Sequence, residues 1–152
     1  GTIMDVHYEQ FDKQIATNLK GAYFLSQKFL RMYKKKHRNG GSILFLSSER
    51  GHYVDDLPYG LIKAAINSLT QGLAKMLIHN NIRINAIAPG ITTTDMTGIT
   101  KDDIYADDYS TGRYYLPEEV VEVACFLVSD ASSCLSGQII ICNNGDSINY
   151  RK

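Results

Sequence analysis

The chain has 152 residues, enough for one domain with its own hydrophobic core, and its 44% apolar and 21% charged residues are ordinary for a globular protein. Sixteen basic and sixteen acidic residues cancel to zero net charge, which excludes a chain-wide electrostatic footprint for nucleic acid or an anionic membrane. No apolar run approaches the roughly 20 residues of a membrane span. Gly1 to Tyr8 lacks the layout of a secretory signal. Three widely spaced cysteines (Cys125, Cys134, Cys142) and four histidines give neither a disulfide framework nor metal-ligand spacing. The expected setting is reducing and cytoplasmic, without metal, membrane or nucleic acid.

From Glu9 to Arg38 the pattern is helical, with Ile15, Leu19, Tyr23, Leu25, Phe29, Leu30 and Tyr33 at three- and four-residue spacing. Its last turn carries Lys34, Lys35, Lys36, His37 and Arg38, cations that suit the negative end of a helix dipole. Asn39-Gly40-Gly41 stops it. Ser42 to Ser47 is continuously apolar until its end, as in a strand buried on both faces of a parallel sheet. Tyr59 to His79 reads as a second helix with an Ala64, Ala65, Leu69, Leu73, Leu77 stripe, and Asn80-Asn81 ends it. Ile82 to Ala88 is a second strand, broken by Pro89-Gly90. Ile91 to Leu116 has no clean periodicity and reads as a functional lid. It carries Asp95, Asp102, Asp103, Asp107 and Asp108, expected to be solvated, and Tyr105, Tyr109, Tyr114 and Tyr115, which suit either substrate contact or packing of the lid. Pro117 to Ser129 is a third helix, Gln138 to Cys142 a third strand, and Asn144-Gly145 a closing turn.

This alternation implies right-handed crossovers and a parallel sheet. The first strand is too apolar for an exposed edge, so another element is expected against it. No strand precedes the first helix and no G-x-G-x-x-G turn is present. Residues 1–152 therefore read as one α/β domain, the C-terminal half of a doubly wound, Rossmann-like sheet.

Tyr59 and Lys63 stand four apart on one helix face, where an ammonium favours phenolate and makes the tyrosine a usable acid/base. Alone the pair is unspecific: ten tyrosines give roughly 0.7 such matches by accident. Ser48, at the end of the buried strand, adds a hydroxyl able to donate to an oxygen that gains charge; Ser47 competes for that role.

With the run Leu46-Ser47-Ser48-Glu49-Arg50-Gly51 followed by Tyr59-Gly60-Leu61-Ile62-Lys63-Ala64-Ala65, the sequence resembles the short-chain dehydrogenase/reductase family. Four further segments are similar, in order: Thr17-Asn18-Leu19-Lys20-Gly21; Arg83 to Ile91 with Thr94-Asp95-Met96; Pro117-Glu118-Glu119-Val120; and Phe126 to Asp130 with Ser136-Gly137-Gln138. The resemblance implies an NAD- or NADP-dependent oxidoreductase acting on a small carbonyl or alcohol. Tyr59 would be the general acid/base, Lys63 would hold the nicotinamide ribose, Ser48 would polarise the substrate carbonyl and Asn18 would hold a relay water. Pro89, Gly90, Ile91 and Thr94 would line the nicotinamide, and His52 and Tyr53 lie where the family lines its substrate pocket. It implies a homodimer or homotetramer through the two long helices.

Three departures are visible. The family's glycine-rich loop and Asn-Ala-Gly strand are absent, the Ser48 to Tyr59 interval is a residue or two short, and Asn143-Asn144-Gly145 replaces an aspartate and two glycines. The choice between NAD and NADP lies with the absent segment. The alternative reading is a catalytically inert fragment, or a non-catalytic dinucleotide-binding or assembly protein of the same fold.

Overall fold

The computed structural model describes residues 1–37, 40–100, 102–107 and 109–148, and helices and strands alternate in it as the sequence implies. A 3-10 turn at Ile3–Asp5 precedes a helical rod in three pieces: α1 (Tyr8–Gln14), a π-helical stretch (Ile15–Lys20) and α2 (Gly21–Lys35). The expected helix is thus present but interrupted, since π hydrogen bonds span five residues rather than four and no side-chain period announces them. Arg38 and Asn39, expected at its end, lie outside the described residues. Leu19, Leu30 and Tyr33 pack on the core, whereas Leu25, also expected on the apolar stripe, is 71% exposed. Tyr33 Oη donates to the Gly40 carbonyl at 2.5 Å, so the chain turns back from helix to strand over a left-handed Gly40 (φ 82°).

Strands β1 (Gly41–Leu46), β2 (Ile82–Pro89) and β3 (Ile139–Cys142) form a parallel sheet in the order β1-β2-β3. Ile43 pairs with Ile84, Phe45 with Ala86, and Ala86 with Ile139. Side chains alternate across a strand, so Ile82, Ile84, Ala86, Ile43 and Phe45 share one face and bury against α2 and α3 (Pro58–Met76). On the other face Arg83 reaches the end of α4 (Pro117–Val128) and the turn beyond it, donating to the carbonyls of Leu127, Ser129 and Ser132 at 2.9–3.0 Å. Asn85, fully buried, is satisfied by the Leu135 carbonyl and the Gln138 N–H.

Among the described residues β1 is an edge strand, in keeping with the expectation that a further element belongs against it. Two expectations about burial need correction. Leu46 is 62% exposed, so β1 is not buried on both faces along its whole length. The buried stripe of α3 is Ile62, Ile66, Thr70 and Ala74, with Leu69 and Leu73 at its margin and Ala64 exposed. The bulkier β-branched pair Ile62 and Ile66 removes more apolar surface from water than Ala64 and Ala65 would, and it sets the rotation of the helix. α3 ends at Met76, before a 3-10 turn at Ile78–Asn80.

Because the strands are parallel, Leu46, Pro89 and Cys142 end on one edge of the sheet. There the segments 47–57, 90–116 and 143–148 converge, the place where open parallel sheets hold ligands. The lid contains no regular element among its described residues; bridges Thr92–Tyr115 and Tyr105–Arg113 hold it together.

Candidate active site

Strand parity separates the two serines. Ser47 continues the face of Ile43 and Phe45 and so points at α3, where its Oγ donates to Asn67 Oδ1 at 2.6 Å and approaches the Lys63 carbonyl at 3.3 Å. It is occupied in fastening strand to helix. Ser48, 8% exposed, begins a 3-10 turn at Glu49–Gly51, and its Oγ accepts the Arg50 N–H at 3.3 Å.

Tyr59 stands in the first turn of α3, half-buried, and Lys63 one turn later, 8% exposed. The Lys63 ammonium lies 5.4 Å from the centre of the Tyr59 ring and donates to the Leu46 carbonyl at 2.9 Å, two residues before Ser48. Lys63 thus links the helix that bears the tyrosine to the strand end that bears the serine. Burial pushes its pKa below the usual lysine value. Gly51 lies hard against the same helix: a Cβ there would stand 2.8 Å from the Lys63 carbonyl carbon, and Asn67 Nδ2 donates to the Gly51 carbonyl at 3.2 Å.

A second group, missed in the sequence, sits over the same edge. Glu49 is 6% exposed and accepts from Asn143 Nδ2 at 2.8 Å. Burial pushes its carboxyl up, the Asn143 bond opposes this, and Asp146 adds to it. Gly90 is closely covered: a Cβ would meet Tyr109 Oη at 2.8 Å and Tyr115 Cε2 and Asn143 Cβ at 3.0 Å. Burial, then the charge of Glu49, pushes the Tyr109 phenol up. Ser110 donates to Asp146, tying the lid to the turn after β3. Tyr109 and Tyr114 are half-buried, Tyr115 is buried and Tyr105 is 79% exposed, so three of the four lid tyrosines pack the lid. Asp95, Asp102, Asp103 and Asp107 are solvated as expected; Asp108 lies outside the described residues.

Asn18 is half-buried in the π-helical stretch, which packs on α3. Pro89 and Gly90 stand beside the end of β1, where the Ser47 N–H bonds the Ile87 carbonyl at 2.7 Å. Ile91 and Thr94 are exposed on the lid, and Thr94 is turned toward Thr97, its N–H on Thr97 Oγ1 at 3.0 Å. His52 and Tyr53 are exposed on the turn between Ser48 and Tyr59. The structure joins Tyr59 and Lys63 to the end of β1, two residues before Ser48, and leaves Thr94 in a local turn of its own. Glu49 and Asn67 find their partners far along the sequence, whereas Asp55 is held by Arg50 and Leu57 within its own loop, whose path no periodicity announces; Asn67 offered one signal, a polar residue one turn past Lys63 on the same helix face. Among the described residues no cluster of His, Cys, Asp and Glu could hold a metal ion, and no helix is long and apolar enough to cross a membrane.

A family model described as Enoyl-(Acyl carrier protein) reductase matches residues 1–147. The 3-oxoacyl-acyl-carrier-protein reductase FabG of Thermotoga maritima is 39% identical over 142 residues, covering 90% of this chain and 57% of that protein. The FabG of Aquifex aeolicus is 34% identical over 140 residues, covering 89% and 56%. A Leptospira borgpetersenii short-chain dehydrogenase with bound NAD+ superposes with a TM-score of 0.83 at 29% identity, covering 97% of this chain and 60% of that one. A Brucella melitensis 3-ketoacyl-(acyl-carrier-protein) reductase complexed with NADH gives 0.83 at 26%, covering 97% and 62%. The chain spans a little over half the length of the curated relatives it matches. It belongs to the short-chain dehydrogenase/reductase family and has the corresponding part of the Rossmann-like fold.

Proposed function

We propose that this chain provides the catalytic face of an oxidoreductase that interconverts a carbonyl and an alcohol with NAD or NADP. The observation that carries the reading is the position of Lys63, whose ammonium joins the Tyr59 helix to the end of β1 beside Ser48. In the reductive direction Tyr59 Oη gives its proton to the carbonyl oxygen, and Ser48 Oγ donates a hydrogen bond to that oxygen as charge grows on it. The bound dinucleotide supplies or accepts the hydride.

The residues present fit such a cofactor. An ammonium has three donors and the Leu46 carbonyl takes one, which leaves Lys63 with N–H groups for the ribose hydroxyls. Pro89, Gly90, Ile91 and Thr94 would line the nicotinamide at the end of β2. Asn18 would hold the water that relays protons from Lys63. Exposed Leu25 and Phe29 on α2, with Leu61 and Met76 on α3, support a homodimer or homotetramer. The proposed compartment is the cytoplasm.

The test is a screen of NADH and NADPH oxidation by the full-length protein bearing this sequence, against acetoacetyl-coenzyme A, a 1,2-diketone and a cyclic ketone. Turnover of a carbonyl with one of the two dinucleotides is expected; none with either would remove the enzyme reading. The second reading, an inert fragment, is favoured by the 56–57% span of the relatives. A dinucleotide titration of the 152-residue chain separates the two.

A further inference from the structure

We propose that Asp55 is a positioning residue for Tyr59, an inference that rests on reading Tyr59 as the acid/base. Its side chain is 3% exposed and touches the chain on both sides of the tyrosine. Oδ1 accepts the Leu57 N–H at 3.0 Å, two residues before Tyr59. The carboxylate fills the space that a Cβ on Gly60 would occupy, immediately after Tyr59. Oδ2 accepts Arg50 Nε at 2.7 Å and lies 2.5 Å from Arg50 Nη2, and Arg50 belongs to the turn that Ser48 begins.

One carboxylate therefore fixes three points: the turn after Ser48, the residue that enters α3 and the residue that follows Tyr59. α3 has no side-chain cap from Leu57, its N-cap residue, so Asp55 also supplies the anion that a helix N-terminus favours. Burial would push its carboxyl up, but the Leu57 N–H and the Arg50 guanidinium hold it below the usual value, so the group stays charged and keeps its grip at neutral pH. Only a glycine at position 60 lets the carboxylate lie so close to the helix.

The test uses the full-length protein with Asp55→Ala, Asp55→Asn and Gly60→Ala, read by hydrogen exchange and by steady-state kinetics. The kinetic probe is the carbonyl and dinucleotide that the wild type turns over in the screen above. In Asp55→Ala we expect exchange at residues 57–62 to rise about tenfold while the rest of the chain stays unchanged. We expect kcat to fall about 10- to 100-fold with the dinucleotide KM unaltered, because a reacting group displaced by about 1 Å loses that much. Asp55→Asn, which keeps the acceptor for Leu57, should recover most of both, and Gly60→Ala should reproduce the alanine variant. Unaltered exchange at 57–62, a rise spread evenly over the chain, or wild-type kcat in Asp55→Ala would each overturn the proposal. A wild type inactive toward every probe would overturn the reading of Tyr59, and exchange alone would then decide the role of Asp55.

Discussion

The Asn143 side-chain amide donates a 2.8 Å hydrogen bond to the Glu49 carboxylate, joining the turn after β1 to the turn after β3 across 94 residues of sequence. The bond passes over Gly90, whose missing Cβ would stand 3.0 Å from Asn143 Cβ, so it helps close the edge of the sheet on which the candidate site is built.

Glu49 is buried and its carboxyl is raised above 4.5, so the folded state holds the proton more tightly than the unfolded one. That contribution is fully present below the unfolded pKa and is lost as pH rises through the folded pKa. Glu49→Gln keeps an acceptor for Asn143 and removes the buried charge. Its thermal midpoint should match or exceed that of the wild type at pH 8, with the difference shrinking toward pH 5. Asn143→Ala leaves the carboxylate without its partner and should cost about 1–3 kcal/mol. Thermal melts of both variants across that pH range check this; a Glu49→Gln protein less stable than wild type at pH 8 would contradict it.

The two serines should separate stability from turnover. Ser47→Ala removes a partly buried 2.6 Å bond and leaves Asn67 Oδ1 short of a donor, at about 1–3 kcal/mol, with kcat kept in the folded protein. Ser48→Ala should leave the melting temperature near wild type and lower kcat about 100-fold or more, as loss of an oxyanion-type donor does. Melting and kinetics measured on both variants would expose a reversed assignment.

Gly51→Ala drives a methyl group to within 2.8–2.9 Å of the Lys63 carbonyl group and Asn67 Nδ2. Overpacking of this kind costs about 1–3 kcal/mol, and here it also levers the β1 turn away from Lys63. Urea titration should show the loss; an unchanged midpoint would mean that the seam opens freely.

At the start of α4, Arg113 bonds both carboxylate oxygens of Glu119 at 2.7 and 2.9 Å and holds that carboxyl near 2. A depressed carboxyl contributes stability above its unfolded value of 4.5 that is lost as pH falls toward about 2. The pair is partly exposed, so solvent screens it. Arg113→Ala should therefore melt slightly below wild type at pH 7 and converge with it at low pH; a gap that widens on acidification would contradict the sign.

Much of this was legible in the sequence, and for physical reasons. The apolar run of β2 and the Pro-Glu-Glu start of α4 are local signals, and each produced its element. Tyr59 and Lys63 are one turn apart, so their shared face follows from helix geometry alone. Parity along β1 would also have sent Ser47 toward α3 beside Ile43 and Phe45. The π-helical stretch at Ile15–Lys20 was not legible, because it changes the hydrogen-bond ladder and leaves no mark on composition. Neither was the rotation of α3, where alanines and isoleucines compete for the core and volume decides. A contact such as Glu49 with Asn143 depends on where the chain returns after 94 residues, and Asp55 beneath Gly60 depends on the path of an irregular loop that has no period to read.

The most direct measurement is the turnover of Tyr59→Phe in the full-length protein, with dinucleotide binding measured alongside. Removing one phenolic oxygen should lower kcat about 10²- to 10⁴-fold while the dinucleotide Kd and the melting temperature stay near wild type. Turnover at the wild-type rate in that variant would contradict the assignment of proton transfer to Tyr59.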